Sequence, residues 1–281
     1  MSTFDLLFEA LAENPALHAP TTAFYKMCKA TARTAIQSLF SSPGRIPRTF
    51  GPFGEFSLPY TKMGTIDSLD LFGLDELIIF AFYNANRGRY RRVLDIGANL
   101  GLHSIIMARC GFFVKAFEPD PWHYRILVEN LNASGVSTVE PVGAAVSTRD
   151  GEAKFVRLLD NLTGSHLAGS KDSYGPKEYI SVPTRAVGPL FAWADFAKID
   201  AEGHEKELLL TTTLQGMQKL DIIVEIGNAA NAEAVFKHFQ STGVGMFAQK
   251  IGWDRVKTVS QVPTSHREGS LFISTKPAMP W

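Results

Sequence analysis

Cysteine, net charge and long apolar runs are what this sequence has least of. Cys28 and Cys110 are its two cysteines, far apart and in no metal-ligand spacing. That argues against disulfide stapling and points to a reducing, cytoplasmic compartment. No stretch reaches the roughly eighteen apolar residues of a membrane span, and Asp5 and Glu9 stand where a secretory signal would carry Lys or Arg. A soluble protein with no membrane partner is expected. Twenty-eight basic residues balance twenty-eight acidic ones, so nothing electrostatic calls for a nucleic-acid partner. Arg87, Arg89, Arg91 and Arg92 form the one local basic cluster; they read as a solvated helix end, with phosphate contact as the alternative. No internal repeat is visible.

What remains is an ordinary globular composition, 45% hydrophobic and 20% charged, in a chain long enough for one large domain plus an appendage. Residues 1–88 read as an N-terminal extension of helices and short strands, a potential substrate cap. Phe4, Leu7, Phe8 and Leu11 share one helical face, suited to packing or to a homo-oligomer contact. Pro15 and Pro20 interrupt the helical stretches up to residue 40. Four prolines and four glycines between Ser41 and Gly64 favour short strands with tight turns. A helix is expected from Ser68 to Asn86, with Leu69, Phe72, Leu77, Phe80 and Ala81 as its buried stripe and Asp67 or Ser68 as its N-cap.

From residue 89 the text alternates strand and helix. "RVLDIG" reads as strand one and "GLHSIIMARC" as a helix. "FFVKAFEPD" is strand two, "PWHYRILVENLNASG" a helix, and "STVEPVGAAV" strand three. The rhythm breaks over 148–185, where two strands flank a polar loop from Asp160 to Pro176. It resumes with "FAKID", a helix in "HEKELLLTTT", the strand "LDIIVEIG" and a helix in "NAEAVFKHFQSTG". Strands near "VGMFAQKI" and "GSLFISTK" close the domain as an antiparallel pair. The fold class is α/β: doubly wound, Rossmann-like, with a mostly parallel seven-stranded sheet over residues 89–281.

The chemistry gathers at strand tips. Gly97 and Gly101 sit where strand one turns into its helix, where a ligand must be closely approached. Asp95 precedes the first glycine in D-x-G-x-N-x-G. A carboxylate there suits an ammonium and repels a diphosphate. Glu118 ends strand two, where an acid accepts hydrogen bonds from both ribose hydroxyls. Together these acids suit S-adenosylmethionine (SAM). Capping by Asp95 and simple turns at the glycines are the plain alternatives.

In "KIDAEGHE", Asp200, Glu202 and His204 follow strand four, and Glu225 ends strand five. A hydroxyl acceptor must lose its proton, for which a carboxylate or histidine serves. Asp200, Glu202, His204 and Glu225 are therefore the catalytic candidates. Glu202 and Glu205 equally suit a helix first turn. Asp200, Glu225 and Asn228 offer oxygen ligands of a kind that suits magnesium, but no metal is assigned. His103 and His123 lie near the crevice, and His166 sits in the 160–176 loop, which is either a lid or plain surface.

The stretches "VLDIGANLGLHS", "AFEPDP", "GAAVS" followed by Asp150-Gly151, and "KIDAEGHE" with "DIIVEI" resemble the FkbM family of SAM-dependent methyltransferases, over roughly residues 90 to 230. The resemblance implies a class I methyltransferase fold and O-methylation of a small-molecule or saccharide hydroxyl. It places Asp95, Gly97, Asn99 and Gly101 around the methionine end, Glu118 at the ribose, and Ala144 with Ala145 beside the adenine, with Ala98, His103, Pro119 and Asp120 as further cofactor contacts. Asp200 falls near the methyl group. The first ninety residues carry none of these motifs. The rivals are an NAD-dependent oxidoreductase, disfavoured by Asp95 and by the lack of a Tyr-x-x-x-Lys relay, and a non-catalytic SAM-binding or assembly protein.

Overall fold

The computed structural model describes residues 2–281. Ser2 caps α1 (Thr3–Glu13) through a reciprocal pair with Asp5, and Phe4, Leu7, Phe8 and Leu11 form its buried face. Pro15 opens a short 3₁₀ turn, and Thr22 caps α2 (Ala23–Phe40), which buries Tyr25, Cys28, Ala32, Ile36 and Phe40. The Pro/Gly-rich stretch makes two tiny hairpins, β1 (Arg48–Thr49) with β2 (Glu55–Phe56) and β3 (Lys62–Met63) with β4 (Ile66–Asp67).

The helix expected from Ser68 starts later, as α3 (Leu74–Ala85), because Gly73 is extended (ψ 156°) and separates it from a 3₁₀ turn over Asp70–Phe72. Neither Asp67 nor Ser68 caps it. Asp67 accepts the N–H of Leu69 and Ser68 that of Thr61, so both side chains are spent on the preceding turn. The buried surface is wider than the expected stripe: Leu77 through Tyr83 are all buried. A helix apolar all round belongs in an interior, and α3 lies between the rest of the extension and the sheet. Phe50, fully buried, packs its ring against Phe4, Phe8, Phe40 and Phe53 at centroid distances of 4.7 to 6.0 Å. One apolar cluster runs from these rings through α3 to Val93, Phe196, Ile223 and Phe272 of the sheet, crossing residue 88 without a break.

The main sheet follows. Its elements are β5 (Arg92–Ile96), α4 (Leu102–Arg109), β6 (Phe113–Phe117), α5 (Pro121–Ala133) and β7 (Val139–Val142). After β8 (Ala145–Ser147), β9 (Gly151–Leu158), β10 (His166–Leu167), β11 (Lys177–Ala186) and α6 (Val187–Trp193), the sheet resumes with β12 (Phe196–Ile199). Then come α7 (Glu205–Leu209), α8 (Leu214–Met217), β13 (Asp221–Val224), α9 (Ala229–Thr242), β14 (Gly245–Ala248), β15 (Asp254–Arg255) and β16 (Leu271–Ser274). The spatial order is β15-β14-β16-β13-β12-β5-β6-β7. The seven expected strands are present, joined by the two-residue edge strand β15. β16 runs antiparallel to both β13 and β14, as the closing pair required.

The expected third strand splits. Ala144 N–H bonds the Val142 carbonyl, a three-residue turn that ends β7 and redirects the chain into β8. β8 belongs to a second sheet, ordered β10-β9-β11-β8, which stands over the tips of the first. Neither this sheet nor α6 and α8 is among the elements expected from the sequence.

Candidate active site

A cavity of about 280 Å³ opens at the carboxyl tips of β5, β6, β12 and β13. Its wall takes Gly97 and Asn99 from the β5–α4 turn, Glu118 and Pro119 from the tip of β6, and Ala144 and Ala145 from the β7–β8 turn. Asp200, Glu202, His204 and Glu225 come from the tips of β12 and β13. These ten residues, with His123 and His166, are the part of the sequence-derived set that the fold brings together.

The turn is built by close approach. Gly97 has φ +81°, and a Cβ there would collide with the Asp200 carbonyl. The N–H groups of Gly97 and Ala98 both bond the Phe117 carbonyl (3.0 and 2.9 Å), which ties the turn to β6. Asn99 adopts φ +51° and Glu202 φ +50°, two of the three non-glycine residues with positive φ among the described residues, and both face the cavity. Strain of this kind concentrates at functional sites.

Glu118 is 6% exposed. One carboxylate oxygen accepts the Asn99 N–H (2.8 Å) and the other the Asp120 N–H (2.9 Å), leaving each a lone pair free. Burial pushes its pKa up to about 8, against the pull of these two N–H groups. The Oδ1 of Asn99 and the Nε2 of His123, both buried against the same cavity, have no protein partner. Burial holds His123 down at about 4, so the ring is neutral and offers that nitrogen to a ligand.

At the far end three carboxyls face one another. Glu225 is pushed well up by burial and by Asp200, Glu76 and Glu202. Glu202, raised to about 7 by burial and by Asp200, is ion-paired with Lys171 of the 160–176 loop. His204 lies between the hydroxyls of Ser147 and Ser170 (3.1 Å each) and is lowered by burial. Asp200 is about a third exposed, with the Lys198 ammonium 3.3 Å behind it.

Five predicted cofactor contacts stand behind the wall instead of on it. Asp95 is fully buried and accepts the Ser104 hydroxyl (2.6 Å). It points along the α4 side of the sheet, and its buried Oδ1 has no protein partner. Ala98 is buried in the turn, and Gly101 packs on Leu127 at the start of α4. His103 sits between the Tyr83 hydroxyl (3.0 Å) and Glu76 (2.7 Å). Asp120 caps α5 and pairs with Arg157 (2.7 Å). Of the magnesium candidates, Asn228 is spent capping α9. Among the described residues no group of three His, Cys, Asp or Glu side chains is placed to hold a metal ion.

His166 of the 160–176 loop lines the cavity, as one reading of that loop expected. The sequence did not point to Leu162, Thr163, Ser165 and Leu167, which roof the cavity beside it, nor to Ile66, Asp70 and Leu71, which bring the N-terminal extension to the rim. Phe155 and His266 complete it. Glu205, read as a helix-start acid, accepts the N–H groups of Ala201 and Gly203 (2.9 and 3.0 Å) and shapes the loop that carries Glu202. The composition of the 160–176 loop was the one available signal for the roof. The rest depends on the second sheet, which no local periodicity announced.

A parallel sheet ending in one inserted antiparallel strand, with its ligand cavity at the tips of the first strands, is the architecture of class I methyltransferases. The chain belongs to the FkbM methyltransferase domain family, whose model matches residues 95–243. It is 30% identical over 145 residues to the hexuronic acid methyltransferase AglP of Haloferax volcanii, a match covering 51% of this chain and 59% of that protein. Similar solved structures include cofactor-bound Rv0187 from MTB (19% identity, TM-score 0.37) and an O-methyltransferase from Bacillus cereus in complex with SAH (17%, 0.36). Each of these two covers 69% of this chain and 78% of the solved one.

Proposed function

We propose that the protein is a SAM-dependent methyltransferase acting on a hydroxyl of a saccharide or other small molecule. One observation carries this reading: the cavity wall bears the carboxyls of Asp70, Glu118, Asp200, Glu202 and Glu225 and no lysine or arginine. A dinucleotide would set its diphosphate against those acids with no cation to receive it. A ligand with a free ribose and a sulfonium fits the same wall, and this weighs against the NAD-dependent oxidoreductase. Glu118, held by two backbone N–H groups, is aimed to take the ribose hydroxyls. Gly97 and Asn99 would flank the amino-acid end, Asn99 Oδ1 would accept its ammonium, and Ala144 and Ala145 would pack the base.

When bound, SAM supplies an electrophilic methyl; the protein's residues align the acceptor and remove its proton. Glu225, pushed well up by burial and by Asp200, favours the form that donates a hydrogen bond. Glu202 is engaged by Lys171, and His204 by two serines. Asp200, a third exposed on the cavity wall and only backed by Lys198, is the candidate base. A cluster of carboxyls also disfavours an ionised acid as acceptor, which makes a neutral hydroxyl the better fit. The name of the Haloferax relative supports a saccharide substrate. Incubating the protein with SAM and a panel of glycosides and hexuronic acids tests this by mass. A gain of one methyl on a hydroxyl supports it. Transfer to a carboxyl or amine alone overturns the acceptor assignment.

A further inference from the structure

Behind the cavity wall lies a second layer of ionisable side chains, built partly by the N-terminal extension. β12 turns Phe196 and Lys198 toward α3, and its register sets Lys198 beside Asp95 on β5 and Ile223 on β13. The Lys198 side chain is 9% exposed and does not reach the cavity, but its Nζ lies 3.3 Å from Asp200 Oδ2. Glu76 faces it from α3, and Asp95 from β5. Glu225 on the tip of β13 and Glu202, itself paired with Lys171, complete the charged groups around it. Glu76 is fixed in turn by His103, which is bonded to Tyr83 on the next turns of α3.

Two titration shifts agree with this geometry. Burial alone would push the lysine down, yet Asp200, Asp95 and Glu76 outweigh it and raise Lys198 above its ordinary range. Burial likewise works against an ionised Glu76, but His103 prevails and holds its carboxyl below the usual carboxylate range. An ammonium in such a place is a fixed charge. Without it, Asp200 would have only the carboxyls of Glu202 and Glu225 as close neighbours.

We propose that Lys198 is a positioning residue: its ammonium, backed by Glu76 of the N-terminal extension, fixes the Asp200 carboxylate on the cavity wall that would receive SAM. The proposal rests on reading the cavity as a SAM site. It assigns the extension a part in the chemistry through α3, besides its contacts at the rim.

The test compares the binding of SAM, whose sulfur is cationic, with S-adenosylhomocysteine (SAH), whose sulfur is neutral, by calorimetry on the full chain. Simple charge counting says that removing a nearby cation strengthens the preference for SAM. The positioning role says the opposite. Lys198→Met frees Asp200 to turn away or take a proton, and the preference falls by about tenfold, a change of roughly 1.4 kcal/mol. Asp200→Asn produces the same fall, the double variant falls no further, and Lys198→Arg keeps the wild-type preference. If Lys198→Met does not fold, Lys198→Gln carries the same reading. A preference that stays level or rises in the neutral variant overturns the role of Lys198. Wild-type protein that binds neither ligand overturns the cofactor reading itself, so the two failures are told apart.

Discussion

Gly97 and Asp200 are locked together: the α-carbon of Gly97 at φ +81° leaves no room for a Cβ against the Asp200 carbonyl. The turn proposed to approach the cofactor and the strand tip proposed to bear the base thus set each other's position. Gly97→Ala is strained twice, by the left-handed backbone and by the collision. The expected outcome is a loss of SAH affinity of at least about a hundredfold, or roughly 2.7 kcal/mol, in calorimetry. Gly54, also at positive φ but with open space around its Cβ position, is the control. Gly54→Ala should leave SAH affinity unchanged.

Glu118 gives the site a pH dependence with a definite sign. Its carboxyl, raised to about 8 by burial, is largely protonated in the free protein at neutral pH, whereas a ribose diol is best received by the carboxylate. Binding therefore releases a proton. SAH affinity should rise about tenfold per pH unit from about pH 6 up to 8 and level off above it. Calorimetry in buffers of different ionisation enthalpy should detect the released proton. Glu118→Gln should flatten the profile and weaken binding.

This dependence was half legible in the sequence. "AFEPD" placed an acid at the tip of the second strand, which is where Glu118 stands. Nothing in the string showed that backbone N–H groups of Asn99 and Asp120 would hold it, or that burial would raise it. Asp95 shows the opposite case. The motif marks it, but strand alternation turns it into the α4 side, where Ser104 receives it. Alternation of strand and helix was readable because each element has its own apolar period. The second sheet was not, since β8 is three residues long and parts from β7 through one tight turn. Its pairing partner β11 lies more than thirty residues further on, and such long-range pairing leaves no local trace.

The 160–176 segment is held at two points. Thr65 N–H and its hydroxyl both bond the Asp160 carbonyl (2.6 and 3.0 Å), and Lys171 pairs with Glu202 beside the base. The second tie is partly exposed, so it is worth about 0.5–1 kcal/mol. Lys171→Ala should leave the melting temperature within about 2 °C of wild type. It should also raise protease cleavage within 160–176 several-fold, and added SAH should suppress that cleavage. Cleavage unchanged by the substitution would mean that the pair does not hold the roof.

A separate pH effect lies far from the cavity. His18 is fully buried, donating from Nε2 to the Leu11 carbonyl (2.9 Å) and accepting at Nδ1 from Trp253 (2.9 Å). Burial lowers its pKa from 6.5 to about 4, so the folded protein holds it neutral while the unfolded chain takes up a proton. The stabilisation is complete above about pH 6.5 and is lost as pH falls toward 4, amounting to roughly 3 kcal/mol in all. His18→Gln should remove this part of the acid sensitivity in urea unfolding measured across that range, while lowering stability at neutral pH.

The central claim is that the acidic cavity receives a ribose and a cationic sulfur and refuses a diphosphate. Titrating the purified chain with SAM and with NAD in one calorimeter is the most direct measurement of it. The account predicts one-to-one binding of SAM, stronger than that of SAH, with no heat from NAD. Binding of NAD at the same site, or silence from SAM, would contradict it.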